Sequence, residues 1–197
     1  MNNYLYEYGD KLYINLTNEC SNNCDFCVRN AADGVGGYNL WLSKEPSAKE
    51  IIESLKKTDL DKYKEFVFCG FGEPLYALKG ILEIGGYLKS LKKSVRLNTN
   101  GQADFICGAG TAEKLKNAVN TVSISLNASN AKKYNEVCKC AFGEKGFYAM
   151  LKFAEECVKN VDRVILSVVD TIGDDEIEKC RALTAHLGAE FRVRKYE

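Results

Sequence analysis

The sequence predicts an α/β fold: a partial TIM barrel of (β/α)6 type, open and parallel-stranded. Three observations carry that prediction. Strand-like and helix-like runs alternate from Leu12 to the end of the chain,. The run Val164 to Val169 is rich in β-branched residues, as a strand buried on both faces of a parallel sheet should be,. The 197 residues hold six such repeats, whereas a complete eight-fold barrel takes about 250 residues.

In chain order, Tyr4 to Tyr8 and Leu12 to Leu16 read as the two arms of a hairpin, with Gly9-Asp10 as its turn,. A glycine-rich loop, "DGVGGYNLW", follows. Ser47 and Glu50 form a capping box, and Ala48, Ile51, Ile52 and Leu55 line one face of the helix it starts,. Phe66 to Cys69 is the second parallel strand, and Leu78, Ile81, Leu82, Gly85 and Leu88 mark the next helix,. Val95 to Asn98 is the third strand, followed by a short helix carrying Leu115, Ala118 and Val119. Val122 to Leu126 is the fourth strand, and a helix over residues 146–159 presents Met150, Phe153, Ala154, Cys157 and Val158. Val164 to Val169 is the fifth strand. Asp174 then caps a helix with Ile177, Cys180, Thr184 and Leu187 on one face, ended by Gly188,. Phe191 to Val193 is the last strand.

Composition narrows the class. Hydrophobic residues are 46% and charged residues 27%, an ordinary balance for a globular protein,. Basic and acidic residues number 27 each, so no strongly basic surface points to nucleic acid,. No apolar run approaches the roughly 20 residues of a membrane span, and no apolar leader follows Met1. The expectation is one cytoplasmic domain over residues 1–197. In that compartment nine cysteines, an odd number, are not a disulfide framework,.

Three of them, Cys20, Cys24 and Cys27, stand in "NECSNNCDFC" directly after a strand. Asn18, Ser21, Asn22, Asn23 and Asp25 favour the loop conformations that a segment wrapping a metal needs. A structural zinc site would want a fourth ligand nearby, but the sole histidine, His186, lies far away on a helix. A thiol-redox pair would use Cys24 and Cys27 but leaves Cys20 over. An iron–sulfur cluster with one iron lacking a cysteine uses all three.

The spacing Cys20-x3-Cys24-x2-Cys27, with Phe26 before the last cysteine, resembles the radical SAM superfamily. The resemblance implies that the three cysteines hold a [4Fe-4S] cluster whose open iron chelates the amino and carboxylate groups of S-adenosylmethionine (SAM). It also implies that backbone beside Phe26 meets the adenine. "CGFGEP" resembles the superfamily's Gly-Gly-Glu motif, which binds the methionine amino group; Gly72 and Glu73 match it, and Phe71 stands where the first glycine would be.

In a β/α barrel, chemistry sits at the C-terminal ends of the strands. Asn98, Thr99 and Asn100 in "LNTNG" could bond sugar hydroxyls, or form an Asn-Gly turn. Ser123, Ser125 and Asn127 alternate onto one face, which we expect to point inward, with Ile124 and Leu126 against the helices. Ser125 and Asn127 would then lie near a ribose or the methionine carboxylate. By resemblance, Val168 and Val193 in the last two strands offer contacts to adenine, and an arginine beside Val193 could serve substrate.

Within the superfamily, the compact length and the phrases "DGVGGYNLW", "RLNTNG" and "SISLNA" look most like the TatD-associated radical SAM proteins. Small glycyl-radical activases and the 7-carboxy-7-deazaguanine synthase group are similar in size. The resemblance further implies a low-potential electron donor such as flavodoxin or ferredoxin, and a small-molecule or peptide substrate; a homodimer is one way to complete the site. Cys69 falls at a strand end, Cys157 and Cys180 on apolar helix faces, and Cys107, Cys138 and Cys140 have no assigned role. The loop Asp33 to Trp41 is either a lid over the open iron or a segment pinned to the barrel by Trp41.

Overall fold

The computed structural model describes residues 2–196. Strands β1 (Leu5–Tyr8) and β2 (Lys11–Ile14) form the expected antiparallel hairpin. The stretch read as a glycine-rich loop is itself a small hairpin, β3 (Gly34–Val35) with β4 (Tyr38–Asn39), turning at Gly36 and Gly37, both at positive φ,. The repeats follow as α1 (Ala48–Lys56), β5 (Glu65–Phe68), α2 (Leu78–Ser90), β6 (Val95–Thr99), α3 (Ala103–Ile106), α4 (Thr111–Leu115), β7 (Thr121–Ser125), α5 (Ala131–Cys138), α6 (Lys145–Asn160), β8 (Arg163–Val169), α7 (Asp174–His186) and β9 (Glu190–Arg194).

Seven strands make one sheet in the order β1-β2-β5-β6-β7-β8-β9. β1 runs antiparallel to β2, and every later neighbour pair is parallel. This is the expected (β/α)6 arrangement, with β1 and β9 as the two edges. Alternate strand residues divide the chemistry. Leu12, Ile14, Phe66, Phe68, Leu97, Val122, Ile124, Leu166 and Val168 join one core cluster with the apolar faces of the helices,. Tyr13, Cys69, Arg96, Asn98, Ser123, Ser125, Ser167 and Val169 line the opposite, concave side.

The capping box at Ser47 and Glu50 is formed in full. The cap expected of Asp174 is not. Gly173, at φ +82°, holds that position, and Asp174 is the first residue of α7. Asp174, Asp175 and Glu176 instead place negative charge in the first turn, where the helix dipole favours it,. Helices α3 and α5 are additions to the sequence expectation. α5 starts at Asn130, whose side chain accepts from the Lys133 N–H at 3.1 Å, and buries Ala131, Tyr134 and Cys138. The β3–β4 hairpin is held by Leu40, 1% exposed beside Tyr6 and Phe71, and by Asn15 Nδ2 donating to the Leu40 carbonyl at 2.8 Å. Trp41 contributes an edge contact to Phe71, with ring centroids 5.0 Å apart, but is itself exposed.

Candidate active site

The concave side of the sheet opens at the C-terminal strand ends into a cavity of about 610 Å³. Cys20, Cys24 and Cys27 all line it, each partly exposed. Their loop is docked through its backbone onto the end of α5. Asn23 N–H donates to the Cys138 carbonyl at 2.9 Å, Asp25 N–H to Val137 at 3.1 Å, and Ala141 N–H to Ser21 at 2.8 Å. Lys139, left-handed at φ +45°, ends α5 and pairs with Asp25. Arg29 adds a bond to the Asn22 carbonyl at 2.9 Å. The Cys138-Lys139-Cys140 tract is thus the seat of the cysteine loop.

Burial pushes the Cys20 thiol up to about 11. A hydrogen bond with Cys138, together with burial, pushes Cys24 up. Such thiols ionise when a cation supplies the missing positive charge. Among the described residues, no three thiol, imidazole or carboxylate groups converge as the ligands of a single ion must,. All three thiols line the same cavity, and an iron–sulfur cluster is the group that would use all three,.

The chain leaving β5 runs against the chain leading to Cys20. Gly72 N–H donates to the Thr17 carbonyl at 3.1 Å and Glu73 N–H to the Glu19 carbonyl at 2.7 Å. A Cβ at Gly72 would overlap the Thr17 carbonyl and stand 2.7 Å from that of Glu19, and one at Gly70 would overlap Asn15 Oδ1. The expectation that these glycines let backbone approach a ligand is therefore revised, because the close approach is between the two loops themselves.

That rail fixes Glu73, which is 3% exposed. Its Oε1 accepts from Thr99 Oγ1 at 2.7 Å and Leu75 N–H at 3.1 Å, and its Oε2 from Asn100 N–H at 2.6 Å. Burial raises its pKa to about 7, with those three bonds pulling the other way,. A cation docked beside it would restore the charge.

A buried polar network ties the cysteine loop to the exit of β6. Asn100 Nδ2 donates to Ser21 Oγ at 2.8 Å, and Ser21 donates to Gln102 Oε1 at 2.6 Å. Gln102 Nε2 donates to both Asn22 Oδ1 and Tyr134 Oη at 2.8 Å. Asn100, expected to face a sugar, lines the cavity but commits its Oδ1 to Gln102 N–H at 3.0 Å. Gln102 and Tyr134 escaped the sequence reading.

Further along the sheet, Ser125 and Asn127 face the cavity as expected, as does Asn98. Asn127 adopts φ +60° and donates to Cys138 Sγ at 3.3 Å. The Oδ1 atoms of Asn98 and Asn127 are buried without a hydrogen-bond partner. Phe26 lies at the mouth and also lines an adjoining cavity of about 470 Å³ with Asn127, Ala128 and Ile172. The side chains of Val168 and Val193, expected to contact adenine, are on the other face. Val168 is fully buried in the core, its strand partner is Val193, and neither lines the cavity. Strand parity is the reason: Ser125 pairs with Ser167 and Ser167 with Arg192, so Val169, Arg192 and Arg194 are the inward residues,.

The (β/α)6 sheet thus gathers thiols and a buried carboxylate into one cavity. Comparison with known proteins gives the family. The sequence model of the radical SAM superfamily matches residues 14–184, and the chain belongs to that superfamily. Its cofactors are accordingly SAM and a [4Fe-4S] cluster. A protein of Methanocaldococcus jannaschii described as "Probable GTP 3',8-cyclase" is 28% identical over 180 residues, covering 89% of this chain and 56% of the relative. The chain thus spans about half the length of that curated relative. Among solved structures, SuiB of Streptococcus suis bound to S-adenosylmethionine matches with a TM-score of 0.73 at 18% identity, over 96% of this chain and 40% of SuiB. A radical SAM methyltransferase from Sphaerobacter thermophilus matches with a TM-score of 0.65 at 16% identity, over 97% of this chain and 57% of that one. Among the described residues no helix is long and apolar enough to cross a membrane.

Proposed function

We propose that Cys20, Cys24 and Cys27 hold the cluster, that SAM binds between them and Glu73, and that the enzyme takes a hydrogen atom from a substrate in the same cavity. The observation that carries this reading is convergence. Three thiols, a buried carboxylate and two amide oxygens without a hydrogen-bond partner all line one cavity. Held by Cys20, Cys24 and Cys27 and reduced by an external one-electron donor, the cluster would supply the electron that breaks the C–S bond of SAM, giving methionine and a hydrogen-abstracting 5′-deoxyadenosyl radical.

The chain's own groups bind and orient. Glu73, held by three donors, receives the SAM ammonium, and that charge keeps it ionised,. Asn98 and Asn127 accept from ribose hydroxyls through their free Oδ1 atoms, which burial without a partner otherwise penalises,. Ser125 stands beside them. Phe26 borders the adenine, and the strands of Val168 and Val193 reach it through backbone only. The phrases "RLNTNG" and "SISLNA" support the TatD-associated subgroup, and the superfamily's need for a reductant supports flavodoxin or ferredoxin in the cytoplasm.

The test is anaerobic reconstitution, reduction, and assay for 5′-deoxyadenosine and methionine. Cys24→Ala should abolish both products, and SAM cleavage at the wild-type rate in that variant would refute the assignment. Deuterium transfer from candidate substrates into 5′-deoxyadenosine separates this reading from a glycyl-radical activase or a 7-carboxy-7-deazaguanine synthase-like enzyme.

A further inference from the structure

We propose that Arg192 and Arg194 on the edge strand, with Arg96 across the cavity, form a binding site for an anionic group of the substrate, a carboxylate or a phosphate. The proposal rests on the radical SAM reading for the chemistry and names the substrate class for that same cavity.

The first observation is orientation. Phe191 packs on the core side of β9, with the Arg181 guanidinium 4.8 Å from its ring centre. Parity therefore turns Arg192 and Arg194 into the cavity, beside Ser167 and Val169. The second is the lack of counter-charge. Arg96 is 6% exposed; its one acidic partner, Glu65 at 3.4 Å, is shared with Lys11 at 3.5 Å. The Nε atoms of Arg96 and Arg194 are both buried with no acceptor. Among the described residues no carboxylate pairs with Arg192 or Arg194, while Lys152, Lys133 and Arg163 each find one. Arg192 is exposed, whereas Arg96 is buried and Arg194 half-buried; buried guanidinium nitrogens without an acceptor are costly unless an anion arrives.

The third observation is balance. The chain as a whole has 27 basic and 27 acidic residues. The cavity lining instead holds Lys11, Arg96, Arg192, Arg194 and Lys195 against Asp10 and Glu73. Asp10 is drawn off by Lys64 at 2.8 Å, and Glu73 by its own donors. Lys11 and Arg96 share Glu65, so Arg192, Arg194 and Lys195 carry the local excess of positive charge. Guanidinium forks match the paired oxygens of a carboxylate or phosphate.

The experiment is calorimetric titration of the reconstituted, SAM-saturated protein with pyrophosphate and, separately, citrate, at constant ionic strength set by potassium chloride. Saturable binding of either anion, weakened at least about tenfold in Arg192→Gln/Arg194→Gln, is expected. The anion that binds tells phosphate from carboxylate. Arg192→Lys/Arg194→Lys keeps the charge but loses the fork, so it should also bind more weakly if the glutamine pair fails to fold. Absence of binding by both anions, or undiminished binding in a folded double variant, would overturn the proposal. So would displacement of the anion by SAM, since the arginines would then belong to the cosubstrate's carboxylate. Glu73→Gln should lose SAM but keep pyrophosphate or citrate binding to the SAM-free protein, which separates failure of this proposal from failure of the cofactor assignment.

Discussion

The wall of the cavity that carries the cysteines and the wall formed by the last strand are built in opposite ways. On the first, Ser21, Asn22, Asn100, Gln102 and Tyr134 satisfy one another across three segments far apart in sequence. On the second, Arg192 and Arg194 face the cavity, and among the described residues neither forms an ion pair with a carboxylate. A closed hydrogen-bond network rigidifies what it joins; an open set of donors waits for a partner. The contrast separates a frame that positions metal ligands from a surface that selects what they act on.

The comparison can be broken most forcefully at the thiols. Cys24→Ala should reduce reconstituted iron from about four atoms per chain to near none, by iron assay. Gly72→Ala should be nearly as damaging, because its Cβ meets backbone that cannot step aside; we expect upwards of about 3 kcal/mol in urea unfolding, with loss of cluster binding.

Next comes pH. Glu73 has a folded pKa raised to about 7, so between its ordinary carboxylate range and pH 7 the folded state holds the extra proton. Stability of the SAM-free protein should therefore be fullest at low pH and decline as pH rises to 7, by on the order of 3 kcal/mol. The Glu50 carboxylate, held down to about 2 by Ser47 and Lys44, works in the opposite sense at acid pH. The slope is thus read as the difference between wild-type and Glu73→Gln profiles, and a flat difference would count against it. Gln102→Leu, which removes the acceptor of the Ser21 hydroxyl and the donor to Asn22 Oδ1, should cost about 2 kcal/mol and speed loss of iron to a chelator. At the far end, Lys56→Ala breaks only an exposed pair with Glu53 and should change the melting curve by less than about 0.5 kcal/mol.

Much of this was readable from sequence because it is local. A short apolar run in Phe66 to Cys69 and apolar alternation in Val122 to Leu126 mark the strands, and the tight cysteine spacing marks the metal loop. The inward turn of Ser123 and Ser125 followed from period two alone,. The same rule, applied to Ser167, would have set Val168 outside and Val169 inside; the run "VILSVV" hides its parity except at that serine. Arg192 and Arg194 bracket Val193 in the same way. The Gln102 network was not legible, since Ser21 and Asn22 lie about 80 residues from it and Tyr134 lies 32 away, and a lone glutamine after an Asn-Gly pair carries no pattern. The β3–β4 hairpin was obscured because its strands are two residues each.

The pairing of Gly72 with Thr17 and of Glu73 with Glu19 stitches the acid and the first thiol into a single ribbon of backbone. Heat or denaturant that lifts one must lift the other. The holoenzyme should accordingly surrender its metal and its grip on the sulfonium cosubstrate in one event, without passing through a form that keeps the metal yet ignores the cosubstrate.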